Sequence, residues 1–187
     1  MNLRLFFSAV LVFLLAVAAR AADRLLQLDF ARSRIEFDVK ATVDSFTGHV
    51  DAYEASLLAA PDARTITKAS FRFYCADLKT GKAKRDREML EWLHAEKYPD
   101  GVFELTSLDP VAGNRLTARG KLTLLGVTKP LEFPVTVAID KDVYAVDGEA
   151  VVDHREFGLP MFRKFGFFKV DPLVKVRFHL QGTWAQP

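Results

Sequence analysis

The chain predicts an all-β fold, an eight-stranded antiparallel barrel with one inserted α-helix, on three observations. Most of residues 28–183 alternate apolar and polar side chains in period two, the pattern of strands wet on one face. One segment only, 80–99, changes to the helical period. The connections between alternating segments are short, as antiparallel neighbours require. An open sheet of this size would leave an apolar face and two raw edges in water, and closure removes both.

The first alternating run, 34–40, sets Ile35, Phe37 and Val39 against Glu36, Asp38 and Lys40. A second strand is expected over 46–57, where the pattern is mixed, and a third over 66–75, with Phe71, Phe73 and Cys75 opposite Ser70 and Arg72. Met89, Leu90, Trp92 and Leu93 then recur at helical spacing among strong helix formers, and Pro99 follows the end. The run Arg85, Asp86, Arg87, Glu88 either caps and solvates the helix start, where an acid gains about 0.3–1 kcal/mol, or forms a charged site over the barrel end. With the helix lying across that end, Trp92 and Leu93 face the lumen.

Strands resume at 102–108 (Phe103, Leu105) and 115–125, where Leu122 and Leu124 oppose Lys121 and Thr123. The run Gly126-Val127-Thr128-Lys129-Pro130 is expected to stop that strand. Further strands follow at 131–139 (Phe133, Val135, Val137), 143–152 and 174–182 (Val174, Val176, Phe178). No repeat or linker divides the chain, so residues 22–187 are expected to form one domain.

Before it, Arg4 precedes an uncharged, largely apolar run from Leu5 to Ala19 and a small-residue site, Ala19-Arg20-Ala21. This reads as a signal peptide cut after Ala21, too short for the roughly 20 apolar residues of a spanning helix. A periplasmic or secreted location is therefore expected. Of 26 Lys and Arg, Arg4 and Arg20 leave with the leader, and the remaining 24 balance 24 Asp and Glu. A neutral exported domain is not a nucleic-acid binder, which needs a basic face. The single cysteine, Cys75, forms no internal disulfide and reads as a small inward-facing apolar residue.

The inward positions named above make a lumen almost without polar groups. An eight-stranded barrel is at the size where side chains just fill the bore or leave room for one small ligand, and the pattern alone leaves both open. A ligand would be apolar, since each buried methylene gains about 0.8 kcal/mol.

Four stretches resemble one known family. They are "SRIEFDVKATVDSFTGHV" (33–50), "ADLKTGKAKRDREMLEWLHAEKYPDGVFELTS" (76–107), "GKLTLLGVTKPLEF" (120–133) and "VVDHREFGL" (151–159). Respectively they are similar to the first hairpin, the Thr-Gly…Arg-Asp helix with its following Tyr-Pro and strand, the Gly-(Val/Thr)-Thr-Lys-Pro strand and the Arg-x-x-Phe-Gly turn of the YceI-like family. The blocks occur in the family's order. The resemblance implies a lipocalin-like barrel whose tunnel holds a long isoprenoid-type lipid, polyprenyl or quinone, with no other cofactor. The chain has Ala41 and Glu88 near where many members carry His.

Residues 157–168 interleave Phe157, Met161, Phe162, Phe165, Phe167 and Phe168 with Arg155, Arg163, Lys164 and Lys169. This segment either folds down to plug the barrel, with Phe162 and Phe165 reaching the lumen, or rests on anionic lipid headgroups. His49, His94, His154 and His179 are scattered without metal-ligand spacing, and Ser45 and Ser56 lack a nucleophile elbow. No metal site and no enzyme is expected.

Two functions follow. One is an exported lipid carrier whose hydrophobic lumen binds the ligand; the other is a filled barrel that docks to a membrane or partner through 157–168. The oligomeric state is left open, a dimer included.

Overall fold

A computed structural model describes residues 22–61, 65–164 and 166–185. Residues 1–21, where a leader is expected, and Phe165 lie outside the described residues. Twelve strands follow the chain: β1 (Arg24–Leu28), β2 (Arg34–Ala41), β3 (Phe46–Val50), β4 (Tyr53–Ala60), β5 (Thr65–Tyr74), β6 (Leu78–Lys79), β7 (Asp100–Ala112), β8 (Arg115–Leu124), β9 (Val127–Asp140), β10 (Val143–Asp153), β11 (Arg163–Lys164) and β12 (Phe168–Trp184). The α-helix α1 (Ala83–Trp92) lies between β6 and β7, and a 3-10 turn (His154–Phe157) follows β10.

Antiparallel pairing runs β1-β4-β5-β7-β8-β9-β10-β12, and β12 returns to β1 with Leu26 opposite Trp184. The barrel is closed by eight strands. β2 pairs with an earlier stretch of β12, and β3 pairs with β2, so each prolongs the wall above β1 and β4. The expected strand over 46–57 is thus two, separated at Asp51 and Ala52. The strand β1 had no counterpart in the sequence reading, because "RLLQL" is too short to show an alternation.

The strand stops at Leu124, close to the expected end, but the start of the next strand, expected at 131, is corrected. Leu125 and Gly126 take φ of 51° and 74°, the two left-handed residues of a tight hairpin turn, and β9 begins at once with Val127. Lys129 and Pro130 are therefore strand residues, paired with Leu122 and Lys121.

Three clusters fill the wall from one end to the other. Leu26, Leu57, Ala59, Ile66, Tyr144 and Val146 pack together with Trp184 at the end away from the helix. Ala118, Phe133, Val135 and Ala150 follow, and Leu122, Val152 and Phe157 lie nearest the helix end. Tyr144 meets Trp184 edge-on, with ring centroids 5.0 Å apart, which seals the far end of the bore.

Candidate functional site

Between these clusters the bore stays open. A cavity of about 560 Å³ runs inside the sheet, within the roughly 300–1,000 Å³ range of small-molecule sites. It reaches Leu57, Ile66 and Val146, and Leu26, Ala59, Tyr144 and Trp184 lie beyond it, so that end is closed. Of the two alternatives the pattern leaves open, this space excludes the filled bore, even though Phe103 meets Phe133 at 5.4 Å and Phe133 meets Phe178 at 5.9 Å.

The reason is a set of glycines on the wall. Phe37 pairs with Gly48, Phe73 with Gly101 and Phe178 with Gly148, and a Cβ added to any of these glycines would come within 2.2–2.4 Å of the facing ring. Each phenyl lies flat in the gap a missing side chain leaves. Rings that would otherwise fill the lumen are held against its wall.

The structure brings the predicted lumen residues to this one cavity. Ile35, Phe37 and Val39 from β2, Phe71 and Phe73 from β5, Phe103 and Leu105 from β7, and Leu122 and Leu124 from β8 all line it. So do Phe133, Val135 and Val137 from β9 and Val174, Val176 and Phe178 from β12. Their alternation in sequence became a single inward face because strand side chains have period two.

The helix contributes a second kind of periodicity. Arg85, Glu88, Met89, Trp92 and Leu93 line the cavity, a stripe spaced as one face of a helix. Its polar end, together with Asp44, Lys82 and Lys84, forms the mouth, and Trp92 and Leu93 lie deeper. Leu90, grouped with them by sequence, is absent from the lining.

Both alternatives for the charged run at the helix start are partly realised. Asp86 accepts from the Thr80 backbone N–H at 2.9 Å and ties the chain ahead of the helix. Arg85 donates to Thr80 Oγ1 at 2.9 Å and to Thr80 O at 2.7 Å, and its guanidinium lies 3.8 Å from the centre of the Phe46 ring. Asp44 pairs with Lys82 at 3.1 Å and with Arg85 at 3.5 Å. The mouth is charged, but these two cations already face a carboxylate.

Segment 157–168 splits in two. Phe157 and Leu159 are buried and Phe162 lines the cavity, its ring 6.1 Å from Trp92 and 6.3 Å from Phe168. Phe167 points out and is 67% exposed. Phe165, predicted to reach the lumen, falls outside the described residues.

Sequence reasoning missed His154 as a lumen residue. Tyr144, Val146, Ala150 and Val152 on β10 are all buried, and the same parity continues to His154, which is 5% exposed and lines the cavity. Its polar neighbours hid that parity. Counting back from Phe157 and Gly158, the Arg of the Arg-x-x-Phe-Gly turn falls on this His; Arg155 points outward and donates to Asp153 at 2.6 Å. That hydrogen bond is the main cause holding Asp153 down at about 2.

Both ring nitrogens of His154 and Nε1 of Trp92 are buried without a partner in full hydrogen-bond geometry among the described residues. The two rings meet edge to face, 4.8 Å apart at 88°. Burial pushes His154 below its ordinary value, toward the neutral imidazole. Cys75 is buried on the same lining, 3.5 Å from Tyr98 O, and burial pushes its thiol up to about 11. Of the remaining histidines, His49 pairs with Asp51 and His179 with Asp147.

A family model described as the YceI-like domain matches residues 26–182. A UPF0312 protein of Pseudomonas putida is 35% identical over 72 residues, 37% of this chain, and the chain spans 38% of that relative's length. The crystal structure of BcnA from Burkholderia cenocepacia matches with a TM-score of 0.74 at 23% identity, covering 84% of this chain and 100% of that one. A polyisoprenoid binding domain from Saccharophagus degradans, implicated in plant cell wall breakdown, matches with a TM-score of 0.66 at 15% identity, covering 88% and 100%. At these identities the two structures establish the fold.

Proposed function

The chain belongs to the YceI-like family, and from that premise we propose that it is an exported carrier that sequesters one long isoprenoid-type lipid, polyprenyl or quinone, in its barrel. The observation that carries this reading is the cavity itself: one apolar bore, sealed at Tyr144 and Trp184 and reaching the surface beside the start of α1. Such a shape suits a slender ligand that enters at one end. With about 0.8 kcal/mol for each buried methylene, a chain of several isoprene units binds by burial alone. The polyisoprenoid binding domain of similar fold supports the same ligand class.

The protein acts by binding rather than by catalysis on this reading. Its side chains supply a dry bore and a charged mouth, and the lipid leaves as it arrived. The leader-like sequence at 1–21 supports export, to the periplasm or outside the cell, as part of this reading.

Exchange of such a lipid needs contact with a bilayer, and the rim supports a peripheral one. Val43 is 68% exposed and Phe167 67%, and the two segments are joined where the Thr42 N–H donates to Lys169 O at 3.0 Å. Lys40, Arg163 and Lys169 are exposed nearby. Apolar tips among cations fit an anionic headgroup layer.

The test is an organic extract of the purified protein analysed by mass spectrometry. A stoichiometric prenyl lipid is expected. Protein that carries none, and takes up none when offered prenyl lipids in detergent, defeats the carrier reading.

A further inference from the structure

We propose that Trp92 and His154 form a headgroup site in the cavity for an uncharged oxygen of the lipid, a prenol hydroxyl or a quinone carbonyl. This rests on the carrier reading above and specifies the ligand's polar end.

The argument begins with unmet hydrogen bonds. Indole Nε1–H is a donor only, and a neutral imidazole offers one donor and one acceptor. All three nitrogens are buried and none makes a hydrogen bond of full geometry among the described residues, although the Leu159 backbone lies close enough to His154 to favour its cation. Leaving a buried polar group unsatisfied is unfavourable, and two such side chains stand together here on a lining that is mostly apolar away from the charged mouth. They come from separate elements, the last turn of α1 and the 3-10 turn after β10. A ligand oxygen that reaches both meets groups the protein leaves free.

Charge decides which oxygen. Arg155, the nearest cation in sequence, turns outward onto Asp153. Arg85 is engaged by Thr80, Asp44 and the Phe46 ring at the mouth. Burial favours the neutral form of His154, so no positive charge is held ready for an anion there. A phosphate beside these rings would be a buried charge without a counter-ion, which is strongly unfavourable. An alcohol can accept from Trp92 Nε1–H and donate to the unprotonated His154 nitrogen; a quinone carbonyl can accept from both rings' N–H groups.

The test measures displacement of a fluorescent fatty probe from the delipidated full protein by four competitors of equal chain length: squalene, the corresponding prenol, a ubiquinone bearing that chain, and the prenyl monophosphate. Squalene reports the bore alone. Prenol or quinone, whichever is the source, is expected to bind more tightly than squalene by roughly two- to tenfold for each hydrogen bond gained, and the monophosphate more weakly than the prenol. Trp92→Phe and His154→Phe should each shrink that preference, read within each variant as the ratio of prenol or quinone affinity to squalene affinity. Trp92→Phe keeps the ring shape and serves alone should His154→Phe not fold.

A preference over squalene that survives both substitutions overturns the headgroup site and leaves the carrier standing. The monophosphate binding most tightly also overturns it. Failure of all four competitors to bind overturns the headgroup site together with the carrier.

Discussion

Gly148 faces Phe178 across the β10–β12 ladder so closely that a methyl group on Gly148 would sit 2.3 Å from Phe178 Cζ. Its other near neighbour is Val135 Cγ1 at 3.0 Å, a side chain of the flanking strand β9. Gly148→Ala must therefore drive the phenyl off the wall and into the bore. Overpacking of this kind costs about 1–3 kcal/mol, and a narrower bore should carry less lipid. Gly113→Ala is the control, since its φ of 60° strains alanine but nothing lies within 4 Å. Urea denaturation and lipid load, measured on both, should show two destabilised proteins and one depleted of lipid. Undiminished lipid in Gly148→Ala would separate the ring's position from binding.

The wall positions were legible in the sequence because period two is simple: alternation assigned Phe37, Phe133 and Phe178 to the inside without any tertiary information. What alternation could not give was the depth of each ring in the bore. That depth depends on which residue lies opposite, hence on register, and Gly48, Gly101 and Gly148 acquire their meaning only once β2–β3, β5–β7 and β10–β12 are aligned. His154 was hidden for another reason. Its environment in sequence, Asp153 to Glu156, is that of a polar surface turn, and its burial follows from a strand parity that persists one step beyond the apolar run.

The sealed end should be the stiffest part of the barrel. Trp184 packs on Tyr144 at 5.0 Å, carries Arg24 over its ring at 5.1 Å and pairs with Leu26 at the seam where the barrel closes. Trp184→Ala removes an aromatic side chain that closes both the core cluster and the bore. A loss of about 3–5 kcal/mol is expected, read by urea denaturation. A loss below 1 kcal/mol would show that the seam is held by its backbone ladder alone.

Acid should weaken the fold through His154. The imidazole titrates near 6.5 when unfolded and lower when folded, chiefly because burial penalises the cation; the Leu159 backbone and then Asp153 and Asp171 oppose that effect, and Arg155 adds to it. A depressed folded value means the unfolded chain takes up the proton first. The contribution is therefore complete above about pH 6.5 and is lost as pH falls through the folded value, with a slope of at most about 1.4 kcal/mol per pH unit. His154→Gln should flatten the wild-type decline in Tm between pH 7 and the folded value. Parallel curves for the two proteins would assign the decline to other groups.

Cys75 should be silent to thiol reagents while the barrel is folded. Burial pushes its thiol up to about 11, leaving about a hundredfold less thiolate than at its ordinary value, and the side chain faces the cavity rather than solvent. Maleimide labelling at mildly alkaline pH should be negligible in native protein and complete in urea. Rapid native labelling would mean that the bore opens widely on that timescale.

Phe167, rather than Phe162, is the residue with which to test membrane contact. Phe162 is turned inward against Trp92, so replacing it disturbs the cavity whatever the rim does. Phe167 and Val43 project from adjoining segments of the mouth, and their removal leaves the lining intact. Co-sedimentation with vesicles containing anionic lipid should fall severalfold in Phe167→Asp combined with Val43→Asp, since both substitutions delete apolar area and add repulsion. Raising the salt should weaken wild-type binding, because the exposed cations act over a Debye length of about 10 Å at 0.1 M. Lipid already inside the barrel should be retained by the double variant while exchange with vesicles slows. Exchange at the wild-type rate would place the route of loading away from this rim.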